Sequence, residues 1–256
     1  MFNFRYDKRI IYVIIAIMVI RTLAQYATVD GALLGLVLTI PGVLIAITFH
    51  EFAHAFVADK LGDDTPRKQG RLSLNPIDHL DPIGSLLLLF AGFGWGKPVQ
   101  VNPNNYNRKR SIEKSDALVS IAGPIMNFLL AIVFTIITCI VLNATNSQLI
   151  FWGNDMLLIA SSQTAEIALK ILILAVSINV GLGIFNLIPL PPLDGSKVIM
   201  PFLPYKAKQF FKQNESIFYI IFVVIWLTGI ASMIISPIID FLGANLLKLG
   251  LSIFGL

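Results

Sequence analysis

Long apolar runs separated by short, often basic loops form the dominant pattern along this chain. Residues 10–27 hold a single charge, Arg21, and residues 32–59 stay apolar until a polar cluster near their end. Further apolar runs cover 116–143, 165–187 and 216–236. Each approaches or exceeds the roughly 18–20 residues that carry a helix across a bilayer core, so each is predicted as a membrane span. Arg21 is expected to snorkel to the interface. Ser115 and Asp116 are candidate N-caps of the third span. The tail, 237–256, has an apolar stripe broken by Asp240 and Lys248 and reads either as a sixth span or as an interfacial helix.

Between the second and third spans the pattern changes. IGSLLLLFAGFGWG (83–96) is apolar, but only about 10–12 residues precede its glycines. That is too short to cross, so a re-entrant or interfacial segment is predicted. The flanking pieces GRLSL (70–74) and KPVQV (97–101) alternate polar and apolar residues, the period of a strand. They predict a small sheet at the membrane face, whose open edge would hold an unwound substrate by strand addition. The predicted fold is an all-α polytopic membrane protein of five or six transmembrane helices, with a small membrane-face β element and a re-entrant segment. Residues 1–256 are expected to form a single integral membrane domain with its core at about 32–200.

Composition agrees with this. The mean hydropathy is +0.78, and 13% of residues are charged, against about 25% in a soluble domain. A net charge of +4 raises nucleic acid as a partner, but the basic residues lie in loops such as RKQGR (67–71) and NRKRSIEK (107–114). There they read as topology signals, and no nucleic acid is expected. The N-terminus and the 60–71, 107–114 and 206–212 loops carry nearly all the positive charge. The connections near 28–31 and 144–164 carry none. This alternation predicts a cell-membrane protein with a cytoplasmic N-terminus and the end of the second span toward the cytoplasm. The basic start, MFNFRYDKR, reads as the approach to a retained first span rather than a cleaved signal. The single Cys139 has no intrachain partner and reads as an inert buried thiol.

The polar cluster in the second span is His50-Glu51-Phe52-Ala53-His54, H-E-x-x-H. On a helix, positions i and i+4 share a face, so both imidazoles can point at one ion. Zinc takes such nitrogens and needs a third protein ligand if water is to hold the fourth place. Glu51 follows the first ligand too closely to share the ion, and is placed to take a proton from the water. Lipid penalises three polar groups together in a span, which favours a functional reading over a satisfied structural one. His79, the remaining histidine, reads as a loop residue.

A third ligand must come from elsewhere, and the candidate is Asp194 in FNLIPLPPLDG (185–195). Pro189, Pro191 and Pro192 force the fourth span to break there. Asp194 then either enters a protein-lined cavity as a ligand or sits as a solvated carboxylate at the interface. Asn127, after Gly123-Pro124 in the third span, and Asn186, at the end of the fourth, are amides able to support an oxyanion or hold substrate. For Asn127 a structural helix–helix hydrogen bond is an equal alternative.

HEFAH, AGPIMN and NLIPLPPLDG, in that order on three spans, resemble the site-2 proteases, the intramembrane zinc metalloproteases. GRLSLNPIDHLDPIG and GWGKPVQVNP resemble membrane-face segments of the short bacterial type, and the likeness covers roughly residues 40–200. The resemblance implies that His50, His54 and Asp194 bind Zn2+, that Glu51 is the catalytic base, that Asn186 contacts substrate, and that the substrate is the transmembrane helix of another protein. A PDZ domain does not fit the 144–164 connection, and a CBS pair is not expected after the fifth span. The rival classes are less well served. A non-catalytic scaffold would be expected to lack Glu51 or a ligand, and a metal transporter would want further His or Asp along its spans. A zincin with a glutamate third ligand would have to draw on Glu166 or Glu215, which lack the context.

Overall fold

The computed structural model describes residues 31–82, 84–85 and 96–256, together with Ile20 and Ala24. Most of the predicted first span and most of the predicted re-entrant segment lie outside the described residues. Among the described residues the chain is helical with one small sheet. The helices that organise it are α1 (Ala32–Lys60), α2 (Ile112–Thr145), α3 (Gln163–Asn186), α4 (Asp194–Ile199), α5 (Tyr205–Gln213), α6 (Glu215–Leu227) and α7 (Ile230–Phe254). Four of them, α1 from Leu33 onward, α2, α3 and α7, are long and apolar enough to cross a membrane.

Local chemistry sets the helix ends. Ser111 accepts from the Lys114 N–H and caps α2, one turn before the predicted Ser115 and Asp116. Ser162 does the same for α3 through the Ala165 N–H. Each side-chain oxygen satisfies one of the N–H groups that a helix start leaves unpaired. The predicted fifth span, 216–236, is corrected by the structure. Gly229 takes a left-handed φ of 76°, which few side chains tolerate. It divides the run into the 13 residues of α6 and the 25 residues of α7. The tail therefore belongs to a helix of spanning length.

The predicted strands at 70–74 and 97–101 do not form. Pro98 cannot donate to a ladder, and the neighbouring N–H groups are engaged elsewhere: Lys97 donates to the His79 carbonyl (2.7 Å) and Val99 to Glu51 (3.0 Å). The sheet lies instead in the 144–164 connection, where β1 (Gln148–Trp152) pairs antiparallel with β2 (Asp155–Ile159) and Trp152 faces Asp155. Its signal is QLIFW and DMLLI separated by Gly153-Asn154, two apolar runs about a two-residue turn.

Helices α1, α2 and α3 pack against one another, and α7 lies across α2 and α3. Leu142, Leu169, Val176 and Leu247 are fully buried at their junction, with the free Cys139 among them. Thr135 and Thr138 return their hydroxyls to carbonyls one turn back (2.9 and 2.7 Å), so both stay satisfied inside this apolar layer.

At the end of α1 a buried carboxylate organises the loops. Asp63 accepts from the Thr65 N–H (3.1 Å) and hydroxyl (2.5 Å), the Asn102 N–H (2.6 Å) and the Asn105 amide (3.0 Å). It thereby ties the 97–107 segment to α1, with Asn107 N–H on the Leu61 carbonyl at 2.6 Å. Burial by itself would raise the Asp63 pKa, but these donors hold it below the ordinary carboxylate value. A depressed pKa contributes stability above the unfolded value, about 4, and loses it as pH falls through the folded one. The segment is thus fully anchored at neutral pH. Asp63→Asn, which cannot accept all four bonds, is expected to cost about 1–3 kcal/mol and to flatten the stability loss below about pH 4. Thermal melts of the detergent-solubilised protein across pH check this; a variant melting like the parent at neutral pH would remove Asp63 from this role.

Candidate metal centre

The penultimate turns of α1 set His50 and His54 one above the other, with ring centroids 4.6 Å apart and planes at 84°. Each ring is held from behind. His50 Nδ1 lies 2.6 Å from Asn127 Oδ1, and His54 Nδ1 lies 2.7 Å from the Val119 carbonyl. Both oxygens accept, so each Nδ1 carries a hydrogen, and in the neutral ring Nε2 is left with the lone pair that a metal takes. Partners of this kind fix a ligating ring's orientation and tautomer.

Asp194 opens α4, where the proline-broken chain turns back. Its Oδ2 lies 3.1 Å from His50 Nε2 and 3.2 Å from His54 Nε2, and the two nitrogens are 3.0 Å apart. Of the two readings of Asp194, the structure has the one in which the carboxylate faces the imidazoles. Ligand atoms around a tetrahedral zinc stand about 3.3 Å apart, so this triangle of two nitrogens and one oxygen suits that ion and leaves a fourth place. Among the described residues this is the group of three or more His, Cys, Asp or Glu side chains placed to hold a metal.

Two glycines make the approach feasible. A Cβ at Gly123 on α2 would stand 2.5 Å from both His50 Cε1 and His54 Nε2. One at Gly195 would stand 2.3 Å from the Leu187 carbonyl oxygen, where α4 folds back on the end of α3. Both lie in motifs visible in the sequence, AGPIMN and PPLDG, but their roles depend on a helix crossing and a chain reversal that no spacing shows.

Glu51 is half-buried, with Oε2 accepting from the Val99 N–H at 3.0 Å. The 97–101 segment, read as a strand, thus meets Glu51 through its backbone. Asn127 is fully buried; besides His50, its amide nitrogen donates to the Ala46 carbonyl and to Asn179 Oδ1, both at 3.1 Å. Its amide is fully occupied within the protein, which matches the helix–helix alternative. Asn179, on α3, escapes a reading of the sequence, because one amide in a long apolar run gives no signal without its neighbours. Asn186 donates to the Leu182 carbonyl at 3.0 Å and is partly exposed. His79 is buried apart from the triangle, with Nε2 on the Ser73 carbonyl at 2.7 Å.

Comparison with known proteins places relatives beside this geometry. The model of a family described as peptidase family M50 matches residues 38–229. A Bacillus subtilis protein named as a candidate zinc metalloprotease, YwhC, is 38% identical over 212 residues, 83% of this chain and 90% of that protein. Two proteins named as candidate zinc metalloproteases Rip2 are also similar. The one from Mycolicibacterium smegmatis is 29% identical over 75% of this chain and 67% of its own length. The one from Mycobacterium tuberculosis strain H37Rv is 30% identical over 65% of this chain and 58% of its own length. No solved structure matches the chain.

Proposed function

The chain belongs to peptidase family M50, the site-2 proteases, and is a zinc metalloprotease; from that premise we propose that it hydrolyses peptide bonds within the transmembrane segments of membrane proteins. The observation that carries this reading is the convergence of His50, His54 and Asp194 to 3.0–3.2 Å inside a bundle of helices of spanning length. A soluble protease has no need to place its ligands on such helices, where each polar group is costly.

His50, His54 and Asp194 would hold the ion, which would supply Lewis acidity and lower the pKa of water toward about 7. Glu51 takes the proton of the attacking water at one carboxylate oxygen and delivers it to the leaving nitrogen, while the Val99 N–H holds the other oxygen in place. The side chain of Asp194 is 21% exposed and that of His50 7%, so the centre is more open on the carboxylate side. Asn186, eight residues before Asp194 and partly exposed, is the residue we assign to the substrate backbone. The substrate helix must unwind locally, since its carbonyls are otherwise engaged.

Orientation follows from charge. His50 and Glu51 lie in the half of α1 that leads to Lys60 and the RKQGR loop, and RKR (108–110) lies just before α2. Basic loops stay in the cytoplasm, so the N-terminus is cytoplasmic and the active site lies toward that side of the cell membrane.

The test is reconstitution into lipid vesicles with a single-span substrate and mass spectrometry of the fragments. Cleavage inside the apolar segment is expected, abolished by a chelator and restored by zinc. A cut mapped only outside that segment, or activity that survives metal removal, would overturn the reading.

A further inference from the structure

Two buried carboxamides stand end to end behind His50, and their order has a direction. On α3, Asn179 Nδ2 donates to the Ala175 carbonyl (2.9 Å), one turn back on its own helix. This turns Asn179 Oδ1 toward α2, where Asn127 Nδ2 donates to it at 3.1 Å and to the Ala46 carbonyl of α1 at 3.1 Å. Both hydrogens of that nitrogen are then used. Asn127 Oδ1 is left facing His50 Nδ1 at 2.6 Å. Neither asparagine has any exposed surface, so water cannot substitute for a missing partner.

We propose that Asn179 is a positioning residue for the metal centre: through Asn127 it sets which nitrogen of His50 carries the hydrogen. This rests on the metal-site reading above. Were the Asn127 amide reversed, its oxygen would face two acceptors, the Ala46 carbonyl and Asn179 Oδ1, and its NH2 would face His50. The ring would then have to accept at Nδ1 and move its hydrogen to Nε2, into the space between His54 and Asp194. Such a ring cannot offer Nε2 to an ion. Asn179 supplies one of the two acceptors that forbid the reversal, although it touches no ligand. A polar pair serving only to join α2 and α3 would affect stability and leave the ring unchanged.

The test uses the full chain in lipid discs and Asn179→Leu, which keeps the branched shape and removes both polar ends. Zinc affinity, read by competition with a chelator, is expected to weaken about tenfold, the lower range for an outer partner of a ligand. In the metal-stripped protein, 15N histidine spectra are expected to show a His50 population that has lost the hydrogen on Nδ1, which the parent keeps in both the neutral and the protonated ring; the chain has three histidines, so the signals are separable. Adding Asn127→Asp to the Asn179→Leu chain is expected to restore affinity, because a protonated carboxyl group donates its hydrogen to the Ala46 carbonyl and turns its other oxygen to accept from His50, with no need of Asn179. Parent-like affinity and spectrum in Asn179→Leu would overturn the proposal, as would a loss of stability with neither readout moved, or no recovery with Asn127→Asp. Asn179→Ala carries the same test if the leucine chain does not fold. A parent that binds no zinc would sink the metal reading instead, and the tautomer spectrum would then decide the relay separately.

Discussion

Glu51→Gln is expected to bind zinc as the parent does and to lose cleavage of a transmembrane substrate by about two to four orders of magnitude. The ligand triangle is built from His50, His54 and Asp194, and none of its distances involves Glu51. Glutamine has the same shape, and its carbonyl oxygen can still accept from the Val99 N–H that Glu51 meets at 3.0 Å. What disappears is the ability to take and return a proton. The loss is therefore chemical, with little change in fold or metal content. Metal analysis of the purified variant, together with turnover of a single-span substrate in vesicles, separates the two contributions. Turnover within tenfold of the parent would move the base to another group, while loss of zinc would make Glu51 part of the ion's environment.

Residues His50, Glu51 and His54 were legible in the sequence for a physical reason, whereas Asp194 stayed open between a ligand and a solvated carboxylate until the family resemblance implied the first. Ionisable side chains inside apolar runs stand out because lipid makes them costly, and the spacing of four on a helix tells which of them share a face. The same contrast showed α1, α2 and α3 as spans. Other features did not show. The break at Gly229 lies inside a uniformly apolar run, where one glycine gives no change of pattern. The strands assigned to 70–74 and 97–101 alternate correctly, but alternation does not say what the backbone bonds to; Val99 reaches a side chain and Lys97 a loop carbonyl. The hairpin at 148–159 carries a turn dipeptide, Gly153-Asn154, yet QLIFW and DMLLI are apolar without the alternation that marks a strand. The outer partners of the ligands, Asn179, Gly123 and the Val119 carbonyl, are spread over two helices. Their relation to α1 exists only once the helices cross.

Gly123 is where that crossing is expected to matter most. Gly123→Ala places a methyl group 2.5 Å from His54 Nε2 and His50 Cε1 and 2.7 Å from His50 Nε2, on the side of the rings that must stay open to an ion. Nothing flexible can yield there, since His50 is tied to Asn127 and His54 to Val119. In isolation the same change favours the helix, alanine being about 1 kcal/mol better than glycine in a helix interior. The two consequences have opposite signs. Zinc affinity is expected to fall at least about a hundredfold, beyond what loss of an outer partner costs, and proteolysis with it. Helix content by circular dichroism is expected to stay at the parent level. A variant that keeps parent-like zinc affinity would mean that α2 can retreat from α1 without loosening the site. The close approach at Gly123 would then be a packing detail, with no bearing on how the ion is held.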